Sequence, residues 1–86
     1  MSALGTIKAA AQATPTSTIV EALRLMGDGQ MSGDENLVRA ALRDLLEDRH
    51  PEVLPAMDSW ALLEWGAELG YTAALLASLE RSVAAA

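Results

Sequence analysis

Leu37, Val38, Ala41, Leu42, Leu45 and Leu46 are spaced so that only an α-helix gathers them into one continuous apolar stripe. A strand, whose side chains alternate every second residue, would scatter the same set over both faces. The stretch also carries its own start and stop. Ser32-Gly33-Asp34-Glu35 fits a capping box, in which a Ser hydroxyl and a Glu carboxylate each satisfy an orphan backbone N–H. Pro51 cannot continue the hydrogen-bond ladder and restricts His50 before it. A helix over 34–49 follows. Glu35 and Arg39, and Arg43 and Glu47, stand four apart on its other face and are expected to form ion pairs in solvent.

The same rules place helices elsewhere. Thr18-Ile19-Val20-Glu21 is a second capping box, with Ile19, Ala22, Leu23 and Met26 behind it and Gly27-Asp28-Gly29 as a stop. The region 51–69 is expected to be one helix bent at Pro55, with Pro51 in its first turn and Gly70 closing it. A last helix is expected from Thr72, with Tyr71 and Leu76 as a hydrophobic staple and Leu75, Leu76, Leu79 and Val83 as its core stripe. Residues 1–16 are small and polar, with scattered alanines, and predict a flexible tail with a frayed turn over 7–12. Aromatic residues make up 3% of the chain and Phe is absent, so the core must come from Leu, Ala, Val, Ile and Met, a set that suits helices. The expected fold is all-α: a compact bundle of about four short helices over 17–86, one domain behind a flexible N-terminal segment.

Twelve Asp and Glu against six Lys and Arg give a net charge of -6. A phosphate backbone is bound by clustered positive charge, so direct DNA binding is not expected, nor is binding to anionic lipid. A partner with a basic surface suits this charge. The chain has no cysteine, hence no disulfide, thiol nucleophile or cysteine-zinc site. With no apolar leader around Lys8 and no run long enough to span a bilayer, a cytoplasmic home is expected.

No catalytic, cofactor-binding or metal-ligating set stands out. His50 is the only histidine, and a metal needs three or four converging ligands. It reads better as the C-terminal cap of its helix. Asp58-Ser59-Trp60 resembles the Asp-Ser-Leu motif of carrier proteins, in which the Ser bears phosphopantetheine, yet too few residues follow for the helices such carriers place there. Ordinary helix-start chemistry is the simpler reading of Asp58 and Ser59. The helices over 18–26 and 34–49 could form a helix-turn-helix with Arg39 and Arg43 toward DNA, but their connection is long and both arginines have acidic neighbours.

The two tryptophans suggest a binding surface. At about 100° per residue, Ala56, Trp60, Leu63 and Ala67 share one side of a helix. Trp65 falls opposite, with Leu62 and Leu69 beside it and Asp58, Glu64 and Glu68 around it. Either a neighbouring segment covers Trp65, or these six residues are an exposed apolar anchor with a charged rim.

The run Leu-Glu-Asp-Arg-His-Pro-Glu at 46–52, Met57 with Trp60, and Tyr-Thr-Ala-Ala-Leu-Leu at 71–76 resemble a family of small proteins of proteobacterial integrative and conjugative elements, the QseM-like quorum-sensing antiactivators. The resemblance covers 38–79, about half of the chain. It implies a non-enzymatic regulatory protein that binds a transcriptional activator and silences transfer of the element, as a monomer or weak homodimer, with no cofactor. Two alternatives stay open: an acidic nucleic-acid mimic of the anti-restriction or anti-CRISPR type, which Arg39, Arg43 and Arg49 would interrupt, and a carrier-like domain modified at Ser59.

Overall fold

The longest helix lies where the apolar stripe places it. The computed structural model describes residues 2–55, Met57 and 70–85, and over these it is all-helical. Four α-helices are described: α1 (Ala3–Ala10), α2 (Thr16–Met26), α3 (Gly33–Arg49) and α4 (Gly70–Ala85). A single 3-10 turn, Pro51–Val53, follows α3, and Leu54, Pro55 and Met57 behind it are helical. Pro55 thus sits in a first turn, where the missing N–H costs no bond. The remainder of the expected 51–69 helix lies outside the described residues, and with it the bend.

In α3, the Ser32 hydroxyl accepts the Glu35 N–H at 3.3 Å, and the His50 N–H closes the last turn on the Leu46 carbonyl. Ala41, Leu45 and Leu46 are buried along one side. Leu45 and Leu46 meet Ile19 and Leu23 of α2, Val53 and Met57, and Ala74, Leu75 and Leu79 of α4 in a single core. Burying a Leu or Ile side chain contributes about 1.5–3 kcal/mol, so this cluster is what holds the helices together.

Three expectations need correction. Residues 3–10 are a helix, not an irregular tail. The Ser2 hydroxyl caps it by accepting the Gly5 N–H at 3.0 Å, and it lies against α3, where Lys8 Nζ meets Asp48 Oδ2 at 2.7 Å. Leu4, Ile7 and Ala11, all half-buried, share one side, and Ala11 packs against the core; alanine-rich composition concealed their helical spacing. Second, α2 begins at Thr16, with Pro15 at its cap and no side-chain cap bond, so Thr18 lies inside the helix and not at its start. Third, α4 begins at Gly70. Tyr71 therefore lies inside the first turn and not before the cap, and Val83, expected in the core, is 64% exposed.

The ends of α2 and α4 are tied so that the two helices run antiparallel. Asp28, just past α2, holds the first turn of α4: its Oδ1 accepts the Thr72 N–H at 2.9 Å and its Oδ2 the Ala73 N–H at 3.0 Å. At the other end Ser82 donates to Glu52, next to the α3 terminus whose Arg49 reaches Thr16 at the start of α2.

Candidate protein-binding groove

The arginines of α3 do not form a solvated face. Arg39 is buried, and its Nη1 donates to the carbonyls of Gly27 and Gly29, both at 2.9 Å, while its Nη2 donates to Asn36 Oδ1 at 2.7 Å. It closes the turn after α2, where Gly27 takes a φ of 63° that other residues avoid. One turn on, Arg43 lies 4.9 Å over the Tyr71 ring and reaches the Thr72 hydroxyl. The Tyr71 hydroxyl donates to Glu47. Arg49 donates to the Thr16 hydroxyl and to the Gln12 carbonyl, pinning the α1–α2 connection. The expected Glu35–Arg39 and Arg43–Glu47 surface pairs are thus replaced by three tertiary clamps, each to a different segment. A guanidinium with several donors in a fixed fork is suited to this work.

These clamps shape the charge of the surface. Lys8, Arg39, Arg43 and Arg49 are all committed within the fold, whereas Glu21, Asp34, Glu35 and Glu80 remain exposed. Arg24 and Arg81 are exposed as well, and the surface as a whole carries the chain's net charge of -6. Arg39 and Arg43 are not presented to a phosphate, which removes the helix-turn-helix arrangement that would use them.

An open groove of about 520 Å³ runs between the antiparallel α2 and α4. Val20 of α2 and Leu76, Leu79 and Val83 of α4 give it an apolar floor. Its polar groups are separated by the antiparallel packing. Arg24 lies toward the start of α4; Glu80, one turn beyond Leu76, lies nearer its end, where Thr16, Ser17 and His50 complete the lining. His50 ends α3 as expected, but its Nδ1 faces Glu52 Oε1 at 3.1 Å. Glu52 is held below the usual carboxylate range, first by its own backbone N–H and then by His50, with Ser82 helping against a small opposing effect of burial. On the far side of α2, Leu25 is 81% exposed above a second depression lined by Thr18, Glu21 and Ala22. The exposed side of α2 is therefore apolar along two flanks.

The residues expected to form the binding surface, Trp65, Leu62, Leu69, Asp58, Glu64 and Glu68, all lie outside the described residues, as do Ser59 and Trp60. The groove was not visible in the sequence. Leu76, Leu79 and Val83 read there as core, and Val20 sits beside the Ile19–Leu23 stripe without belonging to it. The one available signal was an excess: Ile19, Val20, Leu23 and Leu25 cover more of an 11-residue helix than a single core face can use.

Among the described residues, no three His, Asp or Glu side chains are grouped to hold a metal ion, and no helix is long and apolar enough to cross a membrane. No protein-family model, curated protein or solved structure matches the chain.

Proposed function

We propose that this chain is a non-enzymatic regulatory protein that binds and inhibits a transcriptional activator, in the manner of an antiactivator. The observation that carries the reading is the inward commitment of four of the six basic side chains beside an open apolar groove. Together they leave a negative surface with an apolar strip, the combination that meets a basic, apolar-centred face on another protein. Activators that bind DNA carry such basic surfaces, and occluding one prevents promoter binding. Trp65, with Leu62, Leu69, Asp58, Glu64 and Glu68, remains proposed as a further contact. The test is affinity capture from the host cytoplasm, followed by promoter-binding titration of the captured protein. A DNA-binding regulator that leaves its promoter as this protein is added supports the reading. Capture of no such regulator removes it.

A second reading gains support from one observation. Arg39, Arg43 and Arg49 were expected to interrupt a phosphate-like array of carboxylates, yet each is spent on an internal bond. A nucleic-acid mimic would therefore present Glu21, Asp34, Glu35 and Glu80 with less basic interruption. Binding that weakens steeply with salt, competes with DNA and is unaffected by Trp65→Ala favours the mimic over the antiactivator.

A further inference from the structure

We infer that the α2–α4 groove is the docking site for one amphipathic helix of the partner, with an acidic residue toward one end and a basic residue one to two turns away. The inference rests on the protein-binding reading and adds the form of the ligand.

The groove has the shape for it. Val20 and Arg24 on α2 and Leu76, Leu79 and Val83 on α4 are spaced by three or four residues, so each helix contributes one straight wall. At 1.5 Å per residue, the α2 wall from Thr16 to Arg24 is about 12 Å long, room for about two turns of a third helix. A helix lying there inserts apolar side chains at i, i+3 or i+4, and i+7, the recurring pattern of helix-in-groove recognition. Val83, 64% exposed, and the half-buried Val20 and Leu76 are the apolar surface it would cover.

The charges select the occupant. Because α2 and α4 are antiparallel, Arg24 lies toward the start of α4, while Glu80, one turn beyond Leu76, lies nearer its end; both are exposed. Neither has a hydrogen bond or ion pair among the described residues. Glu52 adds a second carboxylate at the Glu80 end, through His50 and Ser82. A partner helix with an acid facing Arg24 and a base facing Glu80 and Glu52 matches both. A helix with one sign of charge throughout meets repulsion at one of them. A helix with its acid in the first turn and its base in the last is also stabilised by its own dipole, which favours that polarity.

The experiment is selection of a phage-displayed library of helical peptides, 14 residues long by design, against the full chain. Enriched peptides are expected to carry apolar residues at i, i+3 or i+4 and i+7, with acid and base one to two turns apart. Val83→Asp is expected to weaken them at least about tenfold, because it places a charge on the apolar floor. Arg24→Glu is expected to weaken them too, and exchanging the peptide's acid for Lys is expected to restore binding in that variant. Val83 and Arg24 are both exposed, and unchanged melting temperatures confirm that the variants fold. Enrichment of peptides without the pattern, enrichment of none, or binding indifferent to Val83→Asp would overturn the inference. So would self-association of the chain through this groove, seen by sedimentation and lost in Val83→Asp. If the host regulator is captured equally well by wild type and Val83→Asp, the groove is wrong while the antiactivator reading stands; if none is captured, that reading fails by itself.

Discussion

The carboxylate of Asp28 and the α-carbon of Gly70 occupy the same corner of the fold: a Cβ built on Gly70 would lie 2.6 Å from Asp28 Cγ and from Oδ2. Gly70 also has a φ of +79°, a conformation in which a Cβ is strained regardless of its neighbours. The absence of a side chain at Gly70 lets a carboxylate 42 positions away in the chain cap α4, where it also complements the helix dipole. Gly70→Ala is expected to destabilise the protein by about 2 kcal/mol or more, from strain and from displacement of the cap. Asp28→Ala removes only the cap, so in denaturant titrations the double variant should cost less than the sum of the two single ones. Strict additivity would show that the two residues do not share this corner.

The Asp28 carboxylate has a pH signature. Burial pushes its pKa up, but the Thr72 and Ala73 N–H groups, followed by the Thr72 hydroxyl and the Arg39 charge, outweigh burial and hold it below its ordinary value. A carboxyl group lowered in the fold contributes stability above its unfolded pKa and loses it as pH falls through the folded value. Melting temperature is expected to fall as pH drops below about 4, and less steeply in Asp28→Asn than in wild type. An identical slope in the two proteins contradicts the assignment.

Tyr71 is the only tyrosine, so its ionisation can be followed directly by ultraviolet absorbance. Burial, and then donation to Glu47 beside that residue's negative charge, raise its pKa to about 12, with Arg43 opposing. The native phenolate transition is expected near there and should move down in Glu47→Gln, which keeps an acceptor but removes the charge. Stability is present below the unfolded tyrosine value and lost as pH rises from about 10 toward the folded value. A transition at the ordinary tyrosine position in the native protein would refute the Tyr71–Glu47 contact.

Arg39 is expected to be the most costly of the three α3 arginines to remove. It is buried, donates three bonds, and leaves only its own Nε unsatisfied. Arg39→Ala strands the Gly27 and Gly29 carbonyls and opens a void, a loss of about 2–4 kcal/mol. Arg49→Ala, on a more exposed side chain, should cost less and should loosen α1, seen as faster amide exchange over 3–10 with the core unaffected.

The core was legible where a stripe had one possible use. In α3 the apolar spacing, the Ser32 cap and the proline stop agreed with one another, and the helix lies where they put it. The cap of α4 was not legible, because its acceptor Asp28 is remote in sequence; the nearby Thr72 was the residue a local rule selects. The α3 arginines misled for the same reason. Four-residue spacing to a carboxylate describes a local opportunity, and the tertiary carbonyls of Gly27, Gly29 and Gln12 competed successfully for the guanidinium donors. In the groove, Val83 and Leu79 share one helical stripe but not one environment: Leu79 reaches the core, while Val83 lies past the point where α2 and Val53 can cover it.

The central claim is that binding of a regulator is carried by the groove-bearing side formed by α2 and α4. It is tested most directly by calorimetric titration of the captured regulator against wild type and Val83→Asp, with both melting temperatures recorded. The predicted result is a loss of affinity of at least about tenfold in Val83→Asp at an unchanged melting temperature. Equal affinity for the two proteins would contradict it.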